Sequence, residues 1–463
     1  MMKMSAAFFP QTRRRIQRTP PWWNAHLRNL RNQLRKARKR FLLRSSWGNK
    51  VTLSYLETEF AEQQDTSYRN YFAGVQDSLQ SNPKNFWSYV KERKQVGEIP
   101  TEMSYREEKS TSPEAAANLF ARFFESVHSP TEPTVTAEQL NELVTFNINL
   151  PLLTVSVAEV KTALSSVDAA KGPGPDRIPP SVVKKCCNSL ARPVTSIFNR
   201  SLSEGVFPSE WKVASIAPIH KSGSRSKIEN YRSISILNCL AKILEKFLVD
   251  HIYPSVKNIV SEFQHGFMKQ RSTTSNLMAY TNWIIRRMEK RQQVDAIYVD
   301  FAKAFDRVPH KLTIAKLTAL GLPDWVTRWL NSYLSNRSAY VKVAGFLSSG
   351  YNIHSGVPQG SHLGPLFIND LCSRLQSSKL LYADDLKIFR QISDAGDVRA
   401  HQNDINKLLR WCAQNGMEVN EKKCKLISFY RIRRPILADA DQPNEDHIYN
   451  TSKKLAPQPP NDS

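Results

Sequence analysis

A mixed α/β (α+β) body behind a helical, strongly basic N-terminal arm is the fold class that this sequence predicts, and three observations predict it. From about residue 151, short strand-like runs ("ASIAPIH", "AIYVDF", "YVKVAG", "LLYADD", "LKIF") alternate with helical stretches ("LAKILEKFLVDHI", "NLMAYTNWIIRRMEK"). Further upstream, Leu27, Leu30, Leu34, Ala37 and Phe41 recur three and four apart after the break at Pro20 and Pro21, the spacing of an amphipathic helix. With 463 residues, 41% of them hydrophobic, the chain can bury a large core and divide into two or three domains.

The N-terminal segment, 1–56, carries no acid before Glu57 and is dense in Arg and Lys. Together with a formal charge of +23 this calls for an acidic partner, most simply a nucleic acid backbone. Residues 57–150 read as a helical linker region in which "NPKNFWSYVKERK" and "AAANLFARFFESV" carry aromatic stripes of core type, separated by a polar loop over 94–114. After about Ile432 the chain turns polar and Pro-rich, so 432–463 is expected to be a disordered tail. No apolar run reaches the roughly 18 residues that a membrane span needs. The six cysteines show no zinc spacing and read as reduced thiols of an intracellular protein.

The chemistry concentrates in acids next to apolar strands. In "DAIYVDFAKAFDRV" the alternation puts Ile297 and Val299 on one side and Tyr298 and Asp300 on the other, so Asp300 ends a strand where a turn exposes it. In "KLLYADDLKIF" two acids, Asp384 and Asp385, sit at the tip of an apolar hairpin. Adjacent like charges beside an apolar strand cost free energy without a cation. Carboxylate oxygens suit Mg²⁺, which binds through one or two carboxylates plus substrate phosphates. Two such ions serve in-line nucleotidyl transfer.

The order "YVDFAKAFDRVPH", "SGVPQGSHLGPLF", "LLYADDLKIF", "EVNEKKCKLISF" resembles motifs A, B, C and D of a reverse transcriptase, and the likeness is to the jockey-like non-LTR retrotransposons. "AAKGPGPDRIPPSVVK", "WKVASIAPIHKSGS", "NYRSISILNCLAKILEK" and "QHGFMKQRSTTSNL" are similar to that family's fingers segments, and "PPWWNAHLRNLRNQLRKARKR" to its linker between endonuclease and polymerase. The resemblance implies a right-hand polymerase with fingers over 151–290 and a palm with an antiparallel sheet over 291–431. It implies copying of an RNA template into DNA from a DNA primer and deoxynucleoside triphosphates, with Mg²⁺ (or Mn²⁺) and a nuclear location.

Residue by residue, the resemblance makes Asp300 and Asp384 metal ligands, with Asp385 beside them. It makes Phe305 a steric gate against the 2′-hydroxyl, and Gln359, with the adjoining Gly360, a segment beside the incoming nucleotide. Lys221 and Arg232 become cations for the triphosphate. Lys423 becomes a general acid toward pyrophosphate, with Lys422 and Lys425 as rivals. Tyr382 supports the primer end. Asp306, Arg307 and His310 are assigned to structure. Three departures stand out: a stretch between Pro365 and Asn369 one helical turn short, which shortens the connection to motif C; Ser233 in place of proline; and Arg177 in place of glycine, costly if that position needs positive φ.

No endonuclease-like segment precedes the linker and no thumb-like segment follows Phe429, so a fragment or decaying copy is expected. The competing readings are a catalytically inactive nucleic-acid-binding remnant and an RNA-templated RNA polymerase.

Overall fold

The computed structural model describes residues 20–79, 86–87, 99–128, 135–136, 146, 148–357, 367–432 and 435–436. The chain divides into two compact units, with the boundary in sequence between Pro100 and Thr101. In the first, the expected amphipathic helix spans Ala25–Leu43, its first turn capped by Asn24, whose side chain accepts the Leu27 N–H at 2.8 Å. Leu27, Leu30, Leu34 and Ala37 are buried against a second helix, Trp47–Asp77, while the arginines and lysines of the other face remain in solvent. A boundary at 56/57 therefore falls inside one continuous helix.

In the second unit the loop expected over 94–114 contains a two-stranded hairpin, β1 (Ser104–Tyr105) and β2 (Glu108–Lys109). Its backbone groups pair with each other, and the Ser104 N–H with the carbonyl of Ser226, which polarity alone does not reveal. The helix Pro113–Val127 follows, capped by Ser112, and its stripe (Ala116, Ala117, Phe120, Phe124) is core as expected. Of the other stripe only Phe86 and Trp87 lie among the described residues.

Two sheets organise this unit. One has the order β4 (Tyr231–Ile236), β3 (Val213–His220), β6 (Arg337–Val343), β7 (Phe346–Leu347), with β8 (Tyr351–Ile353) also on β6; β3 and β6 run parallel and the other pairs antiparallel. Because β6 comes from 337–343 and β3 from 213–220, a division at 290/291 does not separate the sheets. The other sheet is antiparallel throughout, in the order β11 (Lys425–Phe429), β5 (Gln293–Val299), β10 (Asp385–Ile392), β9 (Ser378–Tyr382).

Alternation along β5 is as the sequence predicts. Ile297 and Val299 join the main core, while Val294, Ala296 and Tyr298 pack with Tyr280 and Ile284 of the helix Thr273–Glu289. A central strand covered on both faces is apolar on both, and the last residue on the helix-covered side, Asp300, emerges at its end. Beyond it, β11 brings the chain back: Ala302 N–H donates to Glu418 O and Asn420 N–H to Asp300 O, at 2.8 and 2.7 Å. Part of the tail expected to be disordered is tied down, since Ile436 N–H donates to Gln293 Oε1 at 2.8 Å and Gln293 Nε2 donates to Ile436 O at 2.7 Å.

The departures noted in the sequence have visible consequences. Arg177 sits at φ 59°, the left-handed region where glycine is strain-free. Ser233 Oγ donates to Asp306 Oδ1 at 3.3 Å, a bond proline cannot make. Of the short stretch, 365 and 366 lie outside the described residues, but Asn369 is held by the Ser261 N–H and the Ile259 carbonyl, at 2.7 and 2.9 Å. Asp370 is buried with Lys316 at 2.8 Å, and Trp411 Nε1 donates to the same carboxylate at 3.0 Å.

Two stability outcomes follow from these contacts. Arg177→Gly relieves a left-handed side chain and raises stability by about 1 kcal/mol in urea melts; an unchanged midpoint would show that the position carries no strain. Lys316→Met strands the Asp370 carboxylate in the core and lowers stability by about 3–5 kcal/mol in the same assay.

Candidate active site

The site is assembled by strand register. β10 runs antiparallel to β5 with Leu386 opposite Val299, which sets Asp385 next to Asp300 across the two strands. β9 and β10 are joined by a two-residue turn, Ala383 and Asp384, because Tyr382 pairs with Asp385. Three carboxylates thus lie at one end of the sheet, from segments more than 80 residues apart. They line a cleft of about 480 Å³ whose wall also carries Lys221, Arg232, Lys303 and Lys423.

Each cation reaches the cleft from a different element. Lys221 follows β3, its N–H bonded to the Asn230 carbonyl at 2.8 Å, and Arg232 lies on β4. Lys303 lies in the turn after Asp300 at φ 55°, and Lys423 precedes β11. Lys423 Nζ donates to Asp300 Oδ2 at 3.3 Å. Of the three rival lysines it alone lines the cleft.

The electrostatics are those of crowded like charges. Asp384 is pushed above the ordinary carboxylate value, chiefly by burial and further by Asp385 and Asp300. Lys221 is pushed below the ordinary amine value by burial and then by Lys423 and Arg232. Lys303 is lowered likewise by burial, with Asp306 opposing and Lys221, Lys423 and Arg307 adding to the effect. Acids that repel each other favour a bound cation, and cations that repel each other favour a bound polyanion.

Asp300, Asp385 and Lys423 also line a second cleft, of about 380 Å³, on the sheet face toward the helix Thr273–Glu289. Tyr382, Thr273, Asn276 and Lys387 complete it, and Lys387 Nζ donates to Asn276 Oδ1 at 3.0 Å. Asp300, Asp385 and Lys423 therefore line both clefts, and Glu229 adds a fourth acid to the first.

Not every residue expected at the site can be followed to it. The backbone of Phe305 is in the short helix Ala304–Arg307, but its side chain lies outside the described residues, as do Gln359 and Gly360. Asp306, Arg307 and His310 make structural contacts: Ser355 Oγ donates to Asp306 O at 2.7 Å, Arg307 pairs with Glu418, and His310 bonds the Gly356 carbonyl at 2.7 Å. Lys303 and Phe267 on the cleft wall escaped the sequence reading; a lysine three residues past a strand-end aspartate was the available signal for the first.

Among the described residues no three His, Cys, Asp or Glu side chains converge as a closed metal site would require. The carboxylates are an open set, which suits a hard cation completing its shell with water and substrate phosphates rather than with protein alone. No described helix is long and apolar enough to cross a membrane.

Acidic strand ends of an antiparallel sheet share one cleft with cations from the neighbouring segments. Residues 219–453, half of the chain, match the family described as "Reverse transcriptase (RNA-dependent DNA polymerase)". The RNA-directed DNA polymerase from mobile element jockey of Drosophila melanogaster is 29% identical over 330 residues, covering 68% of this chain and 36% of that relative. The probable RNA-directed DNA polymerase from transposon BS of the same species is 27% identical over 437 residues, covering 89% and 45%. The jockey polymerase of Drosophila funebris is 30% identical over 302 residues, covering 61% and 33%. The chain spans less than half the length of these relatives. It belongs to the reverse transcriptase family, and its relatives are the polymerases of jockey and other non-LTR elements.

The raised Asp384 carboxyl has a measurable sign. The folded protein holds that proton more tightly than the unfolded chain, so the metal-free protein loses stability as pH rises through the raised value. Asp384→Asn should therefore melt higher than the parent at pH 7 in EDTA, with the gap closing below about pH 4, where an ordinary carboxyl is protonated as well. A variant that melts lower at pH 7 would refute the crowding of charges.

Proposed function

We propose that this chain is an RNA-directed DNA polymerase that adds deoxynucleotides to a primer 3′ hydroxyl on an RNA template. The four-stranded antiparallel sheet is its palm, and the segment carrying β3, β4 and the neighbouring helices is its fingers. The observation that carries this reading is the lining of the larger cleft: Asp300, Asp384 and Asp385 opposite Lys221, Arg232, Lys303 and Lys423.

In this reading the triphosphate lies against Lys221, Arg232 and Lys303, whose mutual repulsion its charge relieves. Asp300 and Asp384, with Asp385 adjacent, would hold Mg²⁺, or Mn²⁺ in its place, which when bound activates the primer hydroxyl and stabilises the leaving oxygen. The 3′ oxygen forms a bond to the α-phosphorus as the bond to pyrophosphate breaks. The ammonium of Lys423, drawn to the site by Asp300, supplies a proton to the departing pyrophosphate. Tyr382, in the second cleft with Lys387 and Asn276, supports the primer end. Phe305 excludes the ribose 2′-hydroxyl, and Gln359 and Gly360 border the nucleotide. The basic helix Ala25–Leu43 grips backbone phosphates of the template–primer without sequence preference. A nuclear location fits a polymerase of this element class.

Extension of a DNA primer annealed to RNA, with Mg²⁺ and deoxynucleotides, tests the proposal. Asp384→Ala should abolish extension, and Arg232→Ala should raise the KM for deoxynucleotide about tenfold or more, the worth of a lost charge-assisted bond. Template–primer binding without any extension, indifferent to Asp384→Ala, would overturn the proposal and leave a nucleic-acid-binding protein. Extension with ribonucleotides alone would remove the gate assigned to Phe305.

A further inference from the structure

We infer that Gln264 is a positioning residue that locks the Ala383–Asp384 turn and thereby aims the Asp384 carboxylate into the cleft. The inference rests on the polymerase reading for its consequence, but its geometry stands by itself. Ala383 occupies the left-handed region at φ 59°, at the first position of a two-residue hairpin turn. Alanine is strained there, and glycine is the residue that adopts this conformation without strain. A turn so built relaxes unless its surroundings hold it.

One side chain holds both backbone polar groups of that residue. Ala383 N–H donates to Gln264 Oε1 at 3.0 Å, and Gln264 Nε2 donates to Ala383 O at 3.2 Å. Gly266 N–H donates to the same Oε1 at 2.7 Å, so the amide oxygen spends both lone pairs inside the site. Gln264 is 2% exposed, and water is not at hand to replace these bonds.

The segment that carries Gln264 is itself fixed along β9. Leu381 N–H donates to Phe263 O and His265 N–H to Leu381 O, at 2.9 and 2.8 Å, and Asn276 Nδ2 donates to Leu381 O at 3.1 Å. Arg271 Nη1 donates to the carbonyls of Glu262 and Gln264, each at 2.6 Å. Gly266 is in such close contact that a Cβ there would fall 2.2 Å from Ala383 N. The segment is a rail beside the hairpin, and Gln264 is the point at which the rail grips the turn. Asp384 is the next residue along, so its carboxylate direction depends on the peptide that Gln264 clamps.

The test uses the full chain with two substitutions. Gln264→Met keeps side-chain length and removes all three bonds; Gln264→Glu keeps an acceptor for both N–H groups but cannot donate to the Ala383 carbonyl. Amide exchange of the peptide covering 380–386 reads the turn, and single-nucleotide insertion reads its consequence. Gln264→Met should speed exchange at Ala383 and lower kcat by about 10- to 100-fold, the cost of a misplacement near 1 Å. Template–primer Kd and deoxynucleotide KM should stay within about twofold of the parent. Gln264→Glu should keep slow exchange and an intermediate kcat. Parental exchange in Gln264→Met, or a fall of kcat matched by an equal loss of template–primer binding capacity and of folded fraction, overturns the inference. If the parent chain extends no primer, the polymerase reading fails, while the exchange measurement still decides whether Gln264 locks the turn.

Discussion

The site exists because β5 and β10 pair antiparallel with Leu386 opposite Val299. That register does two things at once. It places Leu386 and Ile388 with Ile297 and Val299 in the main core, and it brings the acids at the strand ends together. Since side chains alternate with period two, a slip of one residue would turn the core face to the other side of the sheet. Burial of these apolar residues therefore enforces the placement of the carboxylates, and the cost of crowding the acids is met by the core beneath them.

The cleft is a compromise between stability and binding. Like charges lie near one another in it, so that Asp384 is driven toward protonation and Lys221 toward deprotonation, each first by burial and then by its like-charged neighbours. Only the Lys423–Asp300 contact joins the two groups directly in the described cleft. Like charges held this close favour a bound hard cation beside the acids and a bound polyanion beside the amines.

Support for the acids comes from beneath them rather than from their own neighbours in sequence. The segment leading into β11 closes over the Asp300 turn through Glu418 and Asn420, and the same return carries Lys423 to the carboxylate. On the other side the 263–266 segment fastens the hairpin, and Gly266 has no room for a larger residue. Such close backbone approach is what a site needs when its charged groups sit on turns, which otherwise move more than the strands they join.

Much of this was legible in the sequence. Period-two alternation in "AIYVDF" gave that strand and its faces correctly, "LKIF" was readable as a strand, and the three- and four-residue spacing of Leu27, Leu30 and Leu34 gave the buried face of the basic helix. The acids at Asp300 and Asp384 were readable because a carboxylate at the end of an apolar strand stands out against its neighbours. What the sequence alone did not determine was partnership. Lys423 rather than Lys422 or Lys425 faces the cleft, Lys303 joins the cations, β6 pairs with β3 across more than a hundred residues, and Gln264 meets Ala383. Local pattern reports the period of a segment and its exposed face, because these follow from backbone geometry; which distant segment lies opposite is settled only when the shared core closes and fixes the register between them.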